Sequence, residues 1–455
     1  MRREISHAAL SVLDADGFAV YYGHIMEGSG ERFVIQGLAG KKKLHGTIAV
    51  RGAKNAALKA MAASILFKNP LTLSNVPDIE DVRRMADLLE HVGIAISRPT
   101  AHSMIIHARA LPKTALTADI SKRLRASVVL TGPLLARTKE VSFPHPGGCV
   151  IGARPIDMFL EGFEKMGARV RMKDKMHIVR APKKGLTGAT LFFRQQSVTA
   201  TETFMMAGVL ARGTTILKNA AMEPEIAHLA EFLNRSGARI SGAGTSTITI
   251  KGTSLLSVPR GGYSIVPDRV EAGSFLILGA LAASDLSITH CVPEHVRSLI
   301  ETLISAGVSV SVKKDTIRVR ASKNAFRAID IKTHEYPGFP TDTQAPMTVF
   351  LTQAKGESMV FETIFEGRLN YVEELNRMGA DIRTMDPHRV IVRGETPLHG
   401  RELQSPDLRA GLAFVIAATI ATGRSVVHNV YNIDRGYERI EERLQDIGVK
   451  ISRVA

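Results

Sequence analysis

One motif occurs six times along this chain and constrains its fold more than any other feature of the sequence. A stretch with helical periodicity ends in a glycine, and a short run of alternating apolar and polar residues follows it. The six glycines lie on average about 71 residues apart, at Gly93, Gly167, Gly237, Gly307, Gly379 and Gly448. The sequence therefore predicts six copies of one structural unit, preceded by an N-terminal segment outside the repeat.

The fourth copy illustrates how each unit is predicted to fold. Its apolar residues lie at positions i, i+3, i+4 and i+7, which predicts a helix with one apolar face. These residues are Val296, Leu299, Ile300 and Leu303. Glycine readily adopts the left-handed conformation that ends many helices, so this helix is expected to end near Gly307. The alternating residues after it predict two strands, near 308–312 and 317–320.

A second, more apolar helix is predicted in each unit. These stretches are rich in Ala, Leu, Met and Gly and nearly free of charge, so helices buried on all sides are expected. They span 55–66, 126–136, 201–211, 272–282, 345–354 and 410–421. A chain of 455 residues exceeds the roughly 250–300 residues at which one hydrophobic core stops growing. Two domains with three units each are therefore predicted, rather than an extended solenoid, whose repeats are shorter.

The charge balance indicates an anionic partner without specifying it. A net charge of +15 is compatible with nucleic acid, an anionic membrane surface or an anionic small ligand. Aromatic residues make up only 5% of the chain, which disfavours a protein that stacks single-stranded bases. The longest apolar run, 412–421, is too short to span a membrane. Two cysteines are too few for a disulfide framework, and a cytoplasmic location is expected. The sequence contains neither a CxxC nor an HExxH motif, so no metal site is predicted.

Polar residues recur where the six buried helices are predicted to begin. Free N–H groups and the positive end of the helix dipole lie at such positions, so several of them facing one another would bind an anion. The residues are Lys54, Asn55, Arg125, Ser197, Thr199, Asp268, Arg269, Asp342, Asp407 and Arg409. An alternative is open for the aspartates and for Ser197 and Thr199, because these residue types are also common helix N-caps.

The segment 144–158, PHPGGCVIGARPIDM, is the strongest single motif. Gly147, Gly148 and Gly152 surround Cys149, which is typical of an exposed loop that brings backbone close to a ligand. A cysteine in such a loop is a candidate nucleophile or acid. Cys291, near the end of a predicted strand, is expected to pack in the interior instead.

Nine short segments together resemble the UDP-N-acetylglucosamine 1-carboxyvinyltransferase family. They follow the family's order from about residue 31 to the C-terminus and are GAKNAAL (52–58), LRAS (124–127), PGGCVIGARPID (146–157), EPEI (223–226), PDRVEAG (267–273), FPTD (339–342), IFEGR (364–368), DLRA (407–410) and NIDRGYERI (432–440). Sibling enolpyruvyl transferases of the shikimate pathway share the repeat but lack the cysteine loop. Residues 1–30 match nothing in the family and form an N-terminal extension.

The resemblance implies a two-domain, inside-out α/β fold built from six βαβαββ repeats, three per domain. The active site would lie in the cleft between the domains. One domain would be discontinuous, 1–53 with 267–455, and the inserted domain, 54–266, would carry the Cys149 loop. The implied reaction transfers the enolpyruvyl group of phosphoenolpyruvate to the 3′-hydroxyl of UDP-N-acetylglucosamine and releases phosphate, the first committed step of peptidoglycan synthesis. No cofactor is implied, and another anionic acceptor such as shikimate 3-phosphate is the alternative.

The resemblance also assigns roles to individual residues. The implied catalytic groups are Cys149, Asp342, Lys54 and Arg435. Phosphoenolpyruvate would be held by Lys54, Asn55, Arg154, Arg368, Arg409 and Arg435. The UDP-sugar would contact Asn55, Arg125, Arg154, Pro155, Ile156, Asp157, Met158, Ser197, Val198, Asp342 and Ile364. Asp268, Glu223 and Asp407 are expected to line the cleft.

Two further hypotheses remain at this point. A nucleic-acid binder built from repeats would account for the net charge of +15 but not for the cysteine loop. A related enzyme with altered activity is suggested by Gln195, because many family members carry a lysine at that position. Arg194, one residue earlier, is a candidate replacement for that lysine.

Overall fold

The structure is a computed structural model. It describes residues 30–455 except 118, 120, 122–123, 146–150, 153–154 and 323, together with two short strands near the N-terminus. Two predicted site residues, Cys149 and Arg154, lie outside the described residues, as does most of the predicted extension 1–30.

The described helices alternate between a buried and an amphipathic type. In chain order they are α1 Lys54–Ala63, α2 Glu80–His91, α3 Thr131–Thr138, α4 Asp157–Lys165, α5 Val198–Leu210, α6 Pro224–Arg235, α7 Arg269–Ala282, α8 Arg297–Ser305, α9 Gln344–Leu351, α10 Val372–Arg377, α11 Leu408–Ile420, α12 Tyr431–Asp434 and α13 Ile440–Gln445. Short 3₁₀ helices occur at Ser64–Leu66, Arg125–Leu130, Pro293–Val296 and Thr341–Thr343.

The predicted buried helices are confirmed as α1, α3, α5, α7, α9 and α11, with the 3₁₀ turns beside α1 and α3. Every residue of α11 is buried, and in α7 only Arg269 at the first position is not. Helices α7, α9 and α11 pack against one another, while α3 packs against α5. Because these helices have apolar residues on all sides, they form the interior and leave the amphipathic helices outside.

The glycines of the repeat end the amphipathic helices as predicted. All six have positive φ, from +88° at Gly93 to +109° at Gly379. An L-residue with a Cβ rarely adopts this conformation, which explains why glycine recurs at this point of every unit.

The described strands are mostly short. In chain order they are β1 Val12–Leu13, β2 Ala19–Val20, β3 Arg32–Gln36, β4 Leu44–Ala49, β5 Leu71–Ser74, β6 Ala95–Thr100, β7 Ser103–His107, β8 Glu140–Pro144, β9 Arg169–Lys173, β10 Met176–Arg180, β11 Thr190–Phe192, β12 Thr214–Lys218, β13 Arg239–Ser241, β14 Thr247–Lys251, β15 Tyr263–Ser264, β16 Ala283–Thr289, β17 Ser309–Lys313, β18 Thr316–Arg320, β19 Phe326–Arg327, β20 Ile331–Lys332, β21 Ala354–Phe361, β22 Asp381–Asp386, β23 Arg389–Gly394, β24 Glu402–Gln404, β25 Arg424–His428 and β26 Lys450–Val454.

Six of the sheets share one topology, a parallel pair extended by two antiparallel strands. Their strand orders are β15-β5-β7-β6, β11-β12-β14-β13, β4-β16-β18-β17, β19-β21-β23-β22 with β20 also on β21, β24-β25-β3-β26, and β8-β10-β9. In the last of these, a parallel bridge from Ala115 to Ser142 takes the place of the first strand. The inside-out α/β fold with its six repeats is thus confirmed.

Strands from distant parts of the chain complete several sheets. The N-terminal β3 lies between β25 and β26, so that Val34 faces both Val426 and Ser452. Strand β4 pairs with β16, and β15 pairs with β5. Strands β3 and β4 therefore belong to sheets of the C-terminal half of the chain.

The described residues form two separate hydrophobic cores. One contains residues between 53 and 266, and the other contains residues 33–50 together with residues between 272 and 451. The chain passes from one core to the other twice, near residues 51–53 and 266–268, and these two segments are hydrogen-bonded to each other. The Ala53 N–H donates to the Val266 carbonyl at 2.7 Å, and the Asp268 N–H donates to the Arg51 carbonyl at 2.8 Å. The exact domain boundaries stay a prediction, which this distribution of the cores favours.

Candidate active site

Helix N-termini from both cores lie close together. The backbone N–H of Lys54, which opens α1, donates to Oδ2 of Asp268, the residue before α7, at 3.1 Å. Asp342, just before α9, is 3.5 Å from Arg409 of α11. Arg409 and Lys54 are near enough for their charges to interact. The predicted convergence of polar helix starts therefore occurs for the four helices α1, α7, α9 and α11.

Asp342 is held between two guanidinium groups. Its Oδ1 accepts from Arg368 Nη1 at 2.8 Å, and Arg409 Nη2 lies 3.5 Å from Oδ2. Burial by itself would raise the pKa of Asp342, but Arg409, Arg368, Arg269 and Lys54 outweigh burial and hold the pKa well below its ordinary value. The carboxyl group is consequently ionised at neutral pH.

The capping alternative that the sequence left open holds for three residues but not for Asp342, nor for Thr199, which lies inside α5. Asp268 accepts from the N–H groups of residues 270 and 271, and Asp407 from those of residues 409 and 410. Ser197 accepts from the N–H of residue 200. Asp342 lies within a 3₁₀ turn, and its side chain caps neither that turn nor α9. Its carboxylate is thus directed to arginine side chains instead of to backbone.

Asp81, which the sequence analysis did not select, joins two of the predicted cations. Its Oδ2 is 3.1 Å from Lys54 Nζ, and its Oδ1 accepts from Arg435 Nε at 2.9 Å. Burial opposes ionisation of Asp81, yet the two cations outweigh burial and lower its pKa. A signal was present in the sequence, because Asp81 lies at i−4 from Met85 and i−7 from Leu88, on the buried face of α2.

The pKa of Lys54 is lowered. Burial is the main cause, and the nearby charges of Arg409 and Arg435 act in the same direction. The carboxylate of Asp81 opposes them and favours the charged ammonium group. The protonation state of Lys54 therefore depends on how many anions lie near Lys54, Arg409 and Arg435.

Arg409 is oriented by a buried tyrosine. Its Nη1 donates to the Tyr437 hydroxyl at 3.1 Å, and that hydroxyl lies 3.2 Å from Ser274 Oγ. Burial raises the pKa of Tyr437, although Arg409 acts against it, so the phenol remains neutral. The guanidinium is thereby fixed between Tyr437 and Asp342.

Glu223 lies beside a second interior ion pair. Arg269 Nε is 3.0 Å from Glu225 Oε1, and both side chains are largely buried. Burial raises the pKa of Glu223, while the charge of Arg269 partly offsets that effect. The predicted cleft residue Glu223 therefore lies close to Arg269, which in turn interacts with Asp342.

The described flank of the Cys149 loop contacts the IFEGR segment. The Ile151 carbonyl accepts from the Gly367 N–H at 3.0 Å. A Cβ at Gly152, whose φ is +141°, would lie 2.6 Å from Oε2 of Glu366. The loop and the segment that carries Arg368 are thus brought together, and they belong to the two different halves of the fold.

The other predicted residues occupy turns and helix starts. Asn55 lies in the first turn of α1, Asp157 and Met158 open α4, and Val198 opens α5. Arg125 opens its 3₁₀ helix, Ile156 is buried, Pro155 is exposed, and Ile364 donates its N–H to Glu362.

Two further predictions concern Arg194 and Cys291. Arg194 is 3.5 Å from Glu161 and its side chain is 84% exposed, so it points to solvent on the surface of α4. Cys291 is buried as expected, and burial raises the pKa of its thiol to about 11. No cluster of three or more potential metal ligands occurs among the described residues. In the same part of the chain, every helix is too short or too polar to cross a membrane.

The fold and the cluster of cations around Asp342 and Asp81 define the class of protein. The family model for EPSP synthase (3-phosphoshikimate 1-carboxyvinyltransferase) matches residues 38–444. The enolpyruvyl transferase NikO from Streptomyces tendae superposes with a TM-score of 0.82 at 23% identity, covering 93% of this chain and 99% of that one. EPSP synthase from Acinetobacter baumannii gives 0.71 at 17% identity, with 93% and 100% covered. The fold is that of the enolpyruvyl transferases.

Sequence relatives specify the family within that class. A UDP-N-acetylglucosamine 1-carboxyvinyltransferase of Acidobacterium capsulatum is 45% identical over 93% of this chain and 96% of its own length. A protein of the same name from Solibacter usitatus is 43% identical over 93% of this chain and 100% of its own length. Another from Helicobacter pylori is 39% identical over 92% of this chain and 98% of its own length. The chain belongs to the UDP-N-acetylglucosamine 1-carboxyvinyltransferase family.

Proposed function

We propose that this protein transfers the enolpyruvyl group of phosphoenolpyruvate to the 3′-hydroxyl of UDP-N-acetylglucosamine and releases phosphate, as the first committed step of peptidoglycan synthesis. The observation that carries the proposal is one carboxylate, Asp342, placed among cations that suit a small dianionic substrate. Arg368, Arg409 and Lys54 act on this carboxylate from three separate segments of the chain. Family membership supplies the identity of the donor and the acceptor.

The addition step of the reaction requires two proton transfers at different atoms. The acceptor oxygen attacks C2 of phosphoenolpyruvate and loses its proton, while C3 gains one, giving a tetrahedral ketal. Loss of a proton from C3 and cleavage of the bond from C2 to the phosphate oxygen then give the enol ether and inorganic phosphate. A general base near the acceptor oxygen and a general acid near C3 are needed.

Asp342 is the proposed base and Cys149 the proposed acid. A carboxylate held by two arginines is a weak base, but a bound phosphate would compete for the same guanidinium groups. Asp342 would then lose part of the field that lowers its pKa, and it would accept a proton more readily. Substrate binding would in this way activate the base that the reaction needs.

The remaining residues are proposed to bind the two substrates. Lys54, Asn55, Arg154, Arg368, Arg409 and Arg435 would hold phosphoenolpyruvate. The residues proposed to contact the UDP-sugar are Asn55, Arg125, Arg154, Pro155, Ile156, Asp157, Met158, Ser197, Val198, Asp342 and Ile364, with Asp268, Glu223 and Asp407 lining the cleft. We also propose a cytoplasmic location, because a free interior thiol at Cys291 suits a reducing compartment.

A phosphate-release assay with two alternative acceptors tests the proposal. Purified protein is incubated with phosphoenolpyruvate and either UDP-N-acetylglucosamine, shikimate 3-phosphate or no acceptor, and phosphate is measured over time. Release that depends on UDP-N-acetylglucosamine is expected. Release that depends on shikimate 3-phosphate instead would move the chain to the other acceptor class, and no release with either would reject the proposal.

A further inference from the structure

Asp81 occupies a position where an apolar residue would be expected. It lies on the buried face of α2 and its side chain is only 5% exposed. Burying a carboxylate costs several kcal/mol unless cations compensate, and a well-packed apolar residue is often as stable. The presence of this charge on the packed face of a helix therefore requires an explanation beyond folding stability.

The partners of Asp81 come from opposite halves of the molecule. Lys54 begins the stretch that builds the first core, whereas Arg435 lies beyond α12 in the second. The Lys54 ammonium is 3.1 Å from Oδ2, and Arg435 approaches through Nε at 2.9 Å and Nη2 at 3.5 Å. One carboxylate thus holds two cations together across the cleft.

The charges and the burial around Lys54 act against keeping these cations together. Arg409 from α11 and Arg435 both disfavour the charged form of Lys54, and so does burial. Asp342 is in direct contact with Arg368 and Arg409 instead. Glu80, the neighbour of Asp81 on α2, pairs with Arg84 on the same helix. Asp81 is in direct contact with both Lys54 and Arg435.

We propose that Asp81 is a positioning residue for phosphoenolpyruvate: it keeps Lys54 and Arg435 charged and adjacent, so that both can bind one incoming anion. This inference rests on the proposed function, since the anion is taken to be that substrate. Asp81 acts through the two cations and does not itself contact the substrate. It thereby keeps binding groups from the two halves in place before the substrate arrives.

The test compares Asp81→Asn and Asp81→Glu with the wild type and with Glu202→Gln. Glu202 is buried beside Lys59, 3.3 Å from its ammonium group, and burial raises the pKa of Glu202 to about 8. Glu202→Gln therefore makes the same acid-to-amide change at a matched burial, and it removes a charge at the alkaline end of the pH range. For each protein, kcat and KM for both substrates are measured from pH 6 to 9.5. Calorimetric titration with inorganic phosphate over the same range measures anion binding without turnover, and thermal unfolding monitors stability.

In Asp81→Asn, KM for phosphoenolpyruvate is expected to rise by about tenfold or more, because Lys54 gives up its proton more readily and neither cation is held in place. These losses are expected to exceed the gain in anion binding from removing one negative charge. The affinity for UDP-N-acetylglucosamine should change by less than about twofold. The alkaline limit of kcat/KM for phosphoenolpyruvate, and of phosphate binding, should move to lower pH by about one unit or more. Asp81→Glu should restore much of the alkaline limit, whereas Glu202→Gln should lower stability only.

Three results would overturn the inference. One is a pH profile and KM for phosphoenolpyruvate in Asp81→Asn that match the wild type. Another is an equal loss of affinity for both substrates without a pH shift, which indicates a purely structural role. The third result applies if Asp81→Asn does not fold and uses Asp81→Glu instead. If that protein has wild-type stability but binds phosphate as weakly at pH 7 as at pH 9.5, the inference is also refuted. An inactive wild type rejects the proposed function, while phosphate titration still tests the role of Asp81.

Discussion

Replacing Asp342 by Asn should have opposite effects on turnover and on binding of phosphoenolpyruvate. The substitution keeps the size of the side chain and removes one negative charge, which lies 2.8 Å from Arg368 and 3.5 Å from Arg409. If Asp342 is the base, turnover should fall by about 10²- to 10⁴-fold, the range typical of general acid or base groups. The two arginines, released from their internal partner, should bind the substrate anion more tightly.

Coulomb's law sets the size of the second effect. A charge about 6 Å from a bound anion contributes ~0.7 kcal/mol in water and ~2.8 kcal/mol at an effective dielectric constant of 20. These energies correspond to about 3-fold and about 100-fold changes in affinity. Asp342 has a side chain that is 24% exposed, so an intermediate value is expected. Binding of the UDP-sugar, which carries its charge on a different group, should change much less.

Steady-state phosphate release gives kcat, and calorimetric titration of phosphoenolpyruvate in the presence of UDP-N-acetylglucosamine gives the dissociation constant. Asp285→Asn provides a matched control, because Asp285 also pairs with an arginine, Arg318, but at an exposed position outside the cleft. The control should retain wild-type turnover and affinity. Weaker binding of phosphoenolpyruvate by Asp342→Asn, or equal losses of turnover and of affinity for the UDP-sugar, would refute this account of Asp342.

Three further outcomes are expected. The losses in unfolding free energy caused by Lys59→Met and Glu202→Leu, measured with urea, should not be additive, because the two side chains form a buried pair at 3.3 Å. A coupling energy of about 0.5–3 kcal/mol is expected, and additive losses would contradict the pairing. Burial lowers the pKa of His295 to about 4, helped by His228 whose ring lies 5.6 Å away. The unfolded chain therefore binds a proton at His295 more strongly than the folded chain, so His295 lowers the stability as the pH falls from 6.5 towards 4. In His295→Gln the melting temperature should depend less on pH over that range, and an unchanged pH dependence would contradict this. Fosfomycin, an epoxide that can alkylate a thiol, should inactivate the protein and add its mass to the peptide containing Cys149. Full activity after saturating treatment would show that the thiol is out of reach.

The sequence was sufficient for the repeating unit and its six copies because both follow from local patterns. Helix periodicity, glycine at the helix ends and alternating strands recur at a regular spacing, and each depends only on residues that are near one another in the chain. The buried helices could be recognised because a helix without a polar face has no surface to present to water. The structure confirms all six, including α11 with its fully buried residues.

The sequence was less informative about which charges meet. Asp268, Asp342 and Asp407 occupy similar positions at helix starts, and only the structure separates the two caps from the carboxylate bound by arginines. The motif resemblance pointed to Lys54 and Arg435 but not to the carboxylate that joins them. That carboxylate, Asp81, is 354 residues from Arg435 in the chain.

The sequence by itself determined the repeating unit, the buried and amphipathic helices and, through its motifs, the family. Only the tertiary structure decided that β3 and β15 complete sheets far from them in the chain, and that Asp81 and Asp342 have different cations as partners. The physical reason is the range of the interactions. Periodic burial acts over a few residues, whereas strand pairing and ion pairs require groups from distant segments to lie within hydrogen-bonding distance, which the packed fold alone establishes.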